Sequence, residues 1–156
     1  HEFGTSFLEP EQQGWDWLSL QLDDNRELML YQLRRADGSR DPRSSGTLVD
    51  AGGNARHLSS ADFTLTPTGA TFTAPSGATY PVGWTIAVPD AQIALTVSTP
   101  LENQELATTA AGIAYWEGMV RVSGTTRGGA VAGRGYLEMT GYKGSLGRVM
   151  SLTAGR

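Results

Sequence analysis

Two stretches of this chain set tyrosines and carboxylates at alternate positions, and a third sets an aspartate between two tryptophans. In the run from Tyr115 to Val122, one set of alternate residues is Tyr115, Glu117, Met119 and Arg121, and the other is Trp116, Gly118, Val120 and Val122. In the run from Gly135 to Tyr142, Tyr136, Glu138, Thr140 and Tyr142 alternate with Leu137 and Met139. Side chains of an extended chain point to opposite faces in turn, so each run presents a polar-aromatic stripe backed by an apolar one. If the two runs pair, Glu117 and Glu138 share a face with Arg121 or Arg134. The plain reading is a solvated face over an apolar core, the usual arrangement of an antiparallel sheet. The sharper reading is a ligand- or partner-binding face, because tyrosine combines a large apolar body with one polar tip.

Asp16 stands between Trp15 and Trp17, on the same alternation face as Leu18, Leu20 and Leu22. Held among apolar groups, its carboxyl would lose solvation, keep its proton to higher pH and serve as a general acid. The alternative is an exposed aspartate at the strand's mouth, capping a turn. His1 and Glu2 could form an acid–base pair in principle, although a chain end commonly frays. His57, beside Arg56, reads as a loop residue. Two histidines, no cysteine and no ligand spacing argue against a metal centre. No Ser-His-Asp constellation is specified, Gly118 and Gly135 belong to no phosphate loop, and no cofactor is implied.

The elements that must position these residues are strands. Turn signals recur at Asp23-Asp24-Asn25, Asp37-Gly38, Gly52-Gly53-Asn54, Pro67-Thr68-Gly69, Ser76-Gly77, Pro89-Asp90, Gly128-Gly129 and Gly144. Between them lie short alternating runs, the pattern of a meander, sandwich or barrel. Trp15–Leu22 and Glu27–Arg34 predict a hairpin. Further strands are expected at Gly46–Asp50, Asp62–Thr66, Ala70–Ala74, Gly83–Val88, Ile93–Ser98, Ala114–Val122 and Arg134–Tyr142. Leu101–Ala111 alone could hold a turn or two of helix. Arg34, Arg35, Arg40 and Arg43, interrupted by Asp37 and Asp41, read as a solvated loop. The result is an all-β, antiparallel, up-and-down barrel of about nine or ten strands with little helix. Closure is preferred over a sandwich because it removes exposed edges.

With 156 residues the chain suits one domain. A net charge of −4 without a basic cluster argues against a nucleic-acid partner. No run approaches the roughly 18 apolar residues of a membrane span. The chain begins at His1, so an upstream piece is expected, and residues 1–6 are read as native rather than as a cloning scar.

Several strings, taken in order, resemble a known family. They include His1-Glu2-Phe3-Gly4-Thr5-Ser6, Gly14-Trp15-Asp16-Trp17-Leu18-Ser19-Leu20-Gln21-Leu22 and Glu27-Leu28-Met29-Leu30-Tyr31-Gln32-Leu33-Arg34. Tyr80-Pro81-Val82-Gly83-Trp84, Asn103-Gln104-Glu105-Leu106, Tyr115-Trp116-Glu117-Gly118 and Gly133 through Tyr142 complete the set. Together they resemble the bacterial AttH-like proteins, grouped with hydroxyneurosporene synthase (carotenoid 1,2-hydratase). The resemblance implies a lipocalin-like barrel that is the C-terminal half of a two-barrel protein, docked on an N-terminal lipocalin-like partner domain. It also implies a periplasmic or envelope location and a small apolar, lipid- or isoprenoid-like ligand. Acid-catalysed hydration or isomerisation is implied in some relatives. Under it, Asp16 and His1 become the catalytic candidates. Phe3 and Tyr31 join them as pocket positions under the resemblance, while Trp15, Trp17, Tyr115, Glu117, Tyr136 and Glu138, taken from the alternation pattern itself, complete the ligand-binding candidates. A non-catalytic ligand-binding barrel, or a structural barrel that only docks, is the alternative.

Overall fold

The computed structural model describes residues 8–9, 11–107 and 114–144. These form β1 (Gln12–Leu22), β2 (Glu27–Arg35), β3 (Ser45–Val49), β4 (Ala55–Ser59), β5 (Thr64–Pro67) and β6 (Thr71–Thr73). They continue with β7 (Thr79–Pro81), β8 (Gly83–Val88), β9 (Ile93–Ser98), β10 (Glu105–Ala107), β11 (Ala114–Thr126) and β12 (Gly129–Thr140). The only helical element among the described residues is a single 3₁₀ turn, Pro89–Ala91.

The main sheet runs β4-β3-β2-β1-β12-β11-β9-β8-β5, with β10 added on β11, and β6 and β7 pair separately. Every pairing is antiparallel. The expected hairpin sits in register, with Leu18 opposite Leu30 and Leu20 opposite Leu28. Leucines from β1 to β5, Trp84, Ile86 and Val88 of β8, Ile93, Leu95 and Val97 of β9, Trp116 of β11 and Met139 of β12 meet in one apolar cluster. A single sheet whose strands all contribute to one core must curl around it, which makes this an up-and-down, lipocalin-like barrel.

Several local expectations are corrected. His57 and Arg56 lie on the edge strand β4 rather than in a loop. The helix expected within Leu101–Ala111 is replaced by β10, and residues 108–111 lie outside the described set. The ring is not closed by a ladder: β4 pairs with β3 and β5 with β8, but no pairing joins β4 to β5. Both edges are short, β4 is exposed at every residue but Leu58 and carries the charged Arg56, and β5 ends in Pro67, features that discourage further pairing.

The arginine group is a solvated loop only in part: Arg40 and Arg43 lie exposed in the loop after β2, and the other two do not. Arg34 and Arg35 belong to β2. Arg35 Nε lies 3.1 Å and Arg43 Nε 3.2 Å from the Asp41 carboxylate. Gln12 Nε2 donates to the same carboxylate at 3.0 Å, tying β1 to the loop after β2. Arg40 covers the Phe63 ring and donates to its carbonyl at 2.9 Å.

Candidate functional site

The core-side face of β1 carries one charged residue. Asp16 is completely buried, in the row that runs through Gln32 of β2, Met139 of β12, Trp116 of β11 and Glu105 of β10. The Tyr142 hydroxyl donates to Asp16 Oδ1 at 2.9 Å. Arg34 Nε lies 3.0 Å from Oδ2, but neither atom makes an aligned hydrogen bond, so this is a contact of charges. The Arg34 guanidinium sits 4.0 Å above the Tyr142 ring and also donates to the Thr140 carbonyl.

Tyr142 reaches this place through the backbone. Gly141 has φ +77°, a left-handed conformation open to glycine, and a Cβ there would stand 2.3 Å from the Gln13 carbonyl oxygen. The turn ends the alternation of β12 and swings Tyr142 to the core side. Beyond it the network continues. The Tyr80 ring lies 5.3 Å from that of Tyr142, its hydroxyl donates to Glu105 Oε1 at 2.9 Å, and Ser76 Oγ donates to the same oxygen at 2.6 Å.

Electrostatics follow from burial. Loss of solvent raises the Asp16 carboxyl above the ordinary aspartate range; the Arg34 charge and the hydrogen bonds from Tyr142 and Gln32 pull it back only in part. Burial, with the neighbouring carboxylates, pushes both the Tyr142 and Tyr80 phenols up, so each remains a proton donor to its carboxylate.

The opposite face of the sheet holds the second group. Tyr31, Trp17, Glu138 and Glu117 form one row across β2, β1, β12 and β11. Trp15 Nε1 donates to Glu138 Oε1 at 2.7 Å, and the Trp15 and Tyr31 rings are 6.3 Å apart. Met29, Ser19, Tyr136 and Met119 form the next row, and Tyr136 Oη lies 3.3 Å from Glu117 Oε2. Met119 and Tyr136 are exposed large apolar side chains. Burial first, and then the facing Glu117, raise the Glu138 carboxyl, against the indole hydrogen bond. Burial likewise raises the Tyr115 phenol.

The structure thus splits the expected site. Asp16 and the candidates Trp15, Trp17 and Tyr31 lie on opposite faces of the sheet, so those rings cannot wall a site whose acid is Asp16. Tyr115, Glu117, Tyr136 and Glu138 do share one face with them. Tyr142 leaves that stripe for the core side, because the Gly141 turn breaks the two-residue period. Arg121 and Arg134 face each other two rows beyond the glutamates, about 13 Å along the strands at ~3.3 Å per residue. His1 and Phe3 lie outside the described residues. Tyr80, Glu105 and Ser76 are not site candidates in the sequence, and Arg34 reads there as part of a solvated loop. Arg34 was legible: alternation from Leu28 and Leu30 puts it on the core side, beside an aspartate on the partner strand.

An up-and-down sheet curled around one apolar core, with a buried carboxyl–arginine–tyrosine group on its inner face, defines a lipocalin-like barrel domain. The AttH-like family matches residues 1–142, and the chain belongs to that family. A crystal structure from Nitrosomonas europaea, described as AttH, is similar at 35% identity over 88% of this chain, with a TM-score of 0.75. Kievitone hydratase from Nectria haematococca shares the fold at 21% identity over 83% of this chain, with a TM-score of 0.68. The chain spans 41% and 39%, respectively, of those two structures. Comparison with curated proteins returned no match.

Proposed function

We propose that this chain is one barrel of a two-barrel, envelope-located protein that handles a small apolar, lipid- or isoprenoid-like ligand by acid-catalysed hydration or isomerisation. The observation that carries the reading is Asp16, a carboxyl with no solvent exposure whose proton affinity burial has raised. A carboxylic acid shielded from water can protonate a carbon–carbon double bond. The π electrons take the proton and leave a carbocation on the neighbouring carbon. Water then adds to that carbon and returns a proton to the Asp16 carboxylate; loss of an adjacent proton instead gives the isomer. Rings that shield the cation must be core-side ones, and Tyr142 is in direct contact with the acid. The shared fold with an enzyme named as a hydratase supports the reaction class.

The test is Asp16→Asn in the complete two-barrel protein, incubated with isoprenoid alkenes in ²H₂¹⁸O and read by mass spectrometry, where hydration adds ¹⁸O and isomerisation adds deuterium alone. Turnover should fall by about 10²–10⁴-fold, the usual contribution of a general acid, with ligand affinity changed only a few-fold. Unchanged turnover overturns the reading.

The opposite face favours a second reading, a non-catalytic ligand-binding or structural barrel that docks on its N-terminal partner domain. Exposed Met119 and Tyr136 beside partly buried tryptophans are an interface composition. Saturable tryptophan quenching by the same alkenes, with neither ¹⁸O nor deuterium incorporated by the unaltered protein, would select that reading.

A further inference from the structure

Glu117 and Glu138 stand directly opposite each other on β11 and β12, an arrangement of like charges that destabilises a bare sheet. Among the described residues, the ion pairs of this barrel use Arg26, Arg34, Arg35 and Arg43, and none reaches either glutamate. Arg121 and Arg134 share the face, but they are two rows away and also oppose each other. Around the glutamates stand aromatic rings. Trp15 holds Glu138 by its indole N–H, Tyr136 approaches Glu117, and Trp17 lies next to Glu138 in the same row. Two facing carboxylates framed by rings form the complement of a cation, which gains from the charges and from the ring faces together.

The length of the relatives supplies the occupant. This chain spans about two fifths of the solved proteins it resembles, at 41% and 39%. The face carries exposed apolar side chains continuous with the carboxylates. We propose that the Glu117–Glu138 row receives a guanidinium or ammonium group presented by the remainder of the parent protein. This rests on the reading that the barrel docks on a partner half, and names the chemistry of the contact. Burial first, and the facing Glu117 after it, raise the affinity of Glu138 for protons, as fits two carboxylates held close together on a partly covered face. The cation anchors the docked surface through both carboxylates. Its arrival removes the repulsion between β11 and β12 at that row, and the surrounding rings exclude water from the contact.

The experiment expresses this barrel and the remaining segment of its parent as separate chains and measures their association by calorimetry. Wild-type association should weaken on raising NaCl from about 0.05 to 0.5 M, because an ion contact is screened. The double variant Glu117→Gln, Glu138→Gln should weaken association by about tenfold or more and flatten the salt dependence. The single barrel should unfold at an equal or higher temperature after that change, since a repulsion is removed; this separates lost recognition from lost folding. If the wild-type halves associate but the double variant leaves both affinity and salt dependence within twofold, the cation contact is wrong and docking stands. If the wild-type halves do not associate, both ideas fall.

Discussion

Two buried aspartates with opposite proton affinities show how much depends on the alignment of donors. Asp16 has the Tyr142 hydroxyl, a weaker contribution from the Gln32 side chain and a guanidinium that is close but misaligned, so burial prevails and the carboxyl is raised. Asp41 lies just beneath the surface, accepts from Gln12, Arg35 and Arg43 side chains and the Arg43 backbone N–H, and is held well below the ordinary range, chiefly by Arg43. A lowered carboxyl stabilises the fold above its unfolded value, near 4, and that contribution is lost as the pH falls through the folded value. Asp41→Asn should therefore lower the unfolding free energy by about 1–3 kcal/mol at pH 7, the scale of hydrogen bonds to a charged group. Urea denaturation at successive pH values should show the deficit shrinking below about pH 4; a deficit constant to pH 2 would contradict the assignment. In sequence, Asp41 was visible only as an interruption among arginines. Nothing local says that Gln12 lies across from it. Asp16 was more legible, since alternation with Leu18, Leu20 and Leu22 already placed it on the core side; the exposed-cap alternative is excluded by its burial.

At the scale of the element, alternation read well wherever a strand was long and its pairing continuous. The runs Gly83–Val88 and Ile93–Ser98 are β8 and β9 residue for residue. It failed in two physical situations. β4 has one buried residue, Leu58, and β10 is three residues long, so neither offers a period to detect. At the end of β12 the period is interrupted by a backbone feature, the left-handed Gly141, which sends Tyr142 to Asp16 instead of to the Tyr136 face. This joint carries its own prediction. Gly141→Ala would force a side chain into positive φ, which costs of order 1–3 kcal/mol for strained backbone. It would also set a Cβ 2.3 Å from the Gln13 carbonyl, so β1 and β12 must separate locally. A loss of at least ~2 kcal/mol is expected. The Tyr142 hydroxyl should also lose its bond to Asp16, readable as a shift of the Asp16 carboxyl carbon resonance. A variant of unchanged stability and unshifted resonance would show that the turn is not what positions Tyr142.

For the whole molecule, sequence reasoning gave the up-and-down order of strands but overstated how the ring is completed. Closure was expected because unpaired edges are a liability. The barrel instead joins its ends by side chains. Leu58 of β4 and Leu65 of β5 are both buried in the common core, and Phe63 between them is 1% exposed and capped by Arg40. Asp62 turns the chain there by accepting from the Ser59 backbone N–H and hydroxyl. Packing without a ladder holds two edges together but leaves their outer amides free to open, so the barrel should not be uniformly stable. Amide exchange should be slowest in β1, β11 and β12, which are long and paired on both sides, and fastest in β4 and β5. Phe63→Ala removes the plug and should cost about 3–5 kcal/mol, as phenylalanine truncations in cores do. Its further effect should be directional: exchange in β4 and β5 should accelerate more than global destabilisation alone requires, while β1 and β12 track the global change. If protection fell evenly around the ring, the seam would be no weaker than a hydrogen-bonded strand pair. The barrel would then have to be treated as closed in energy though open in pairing.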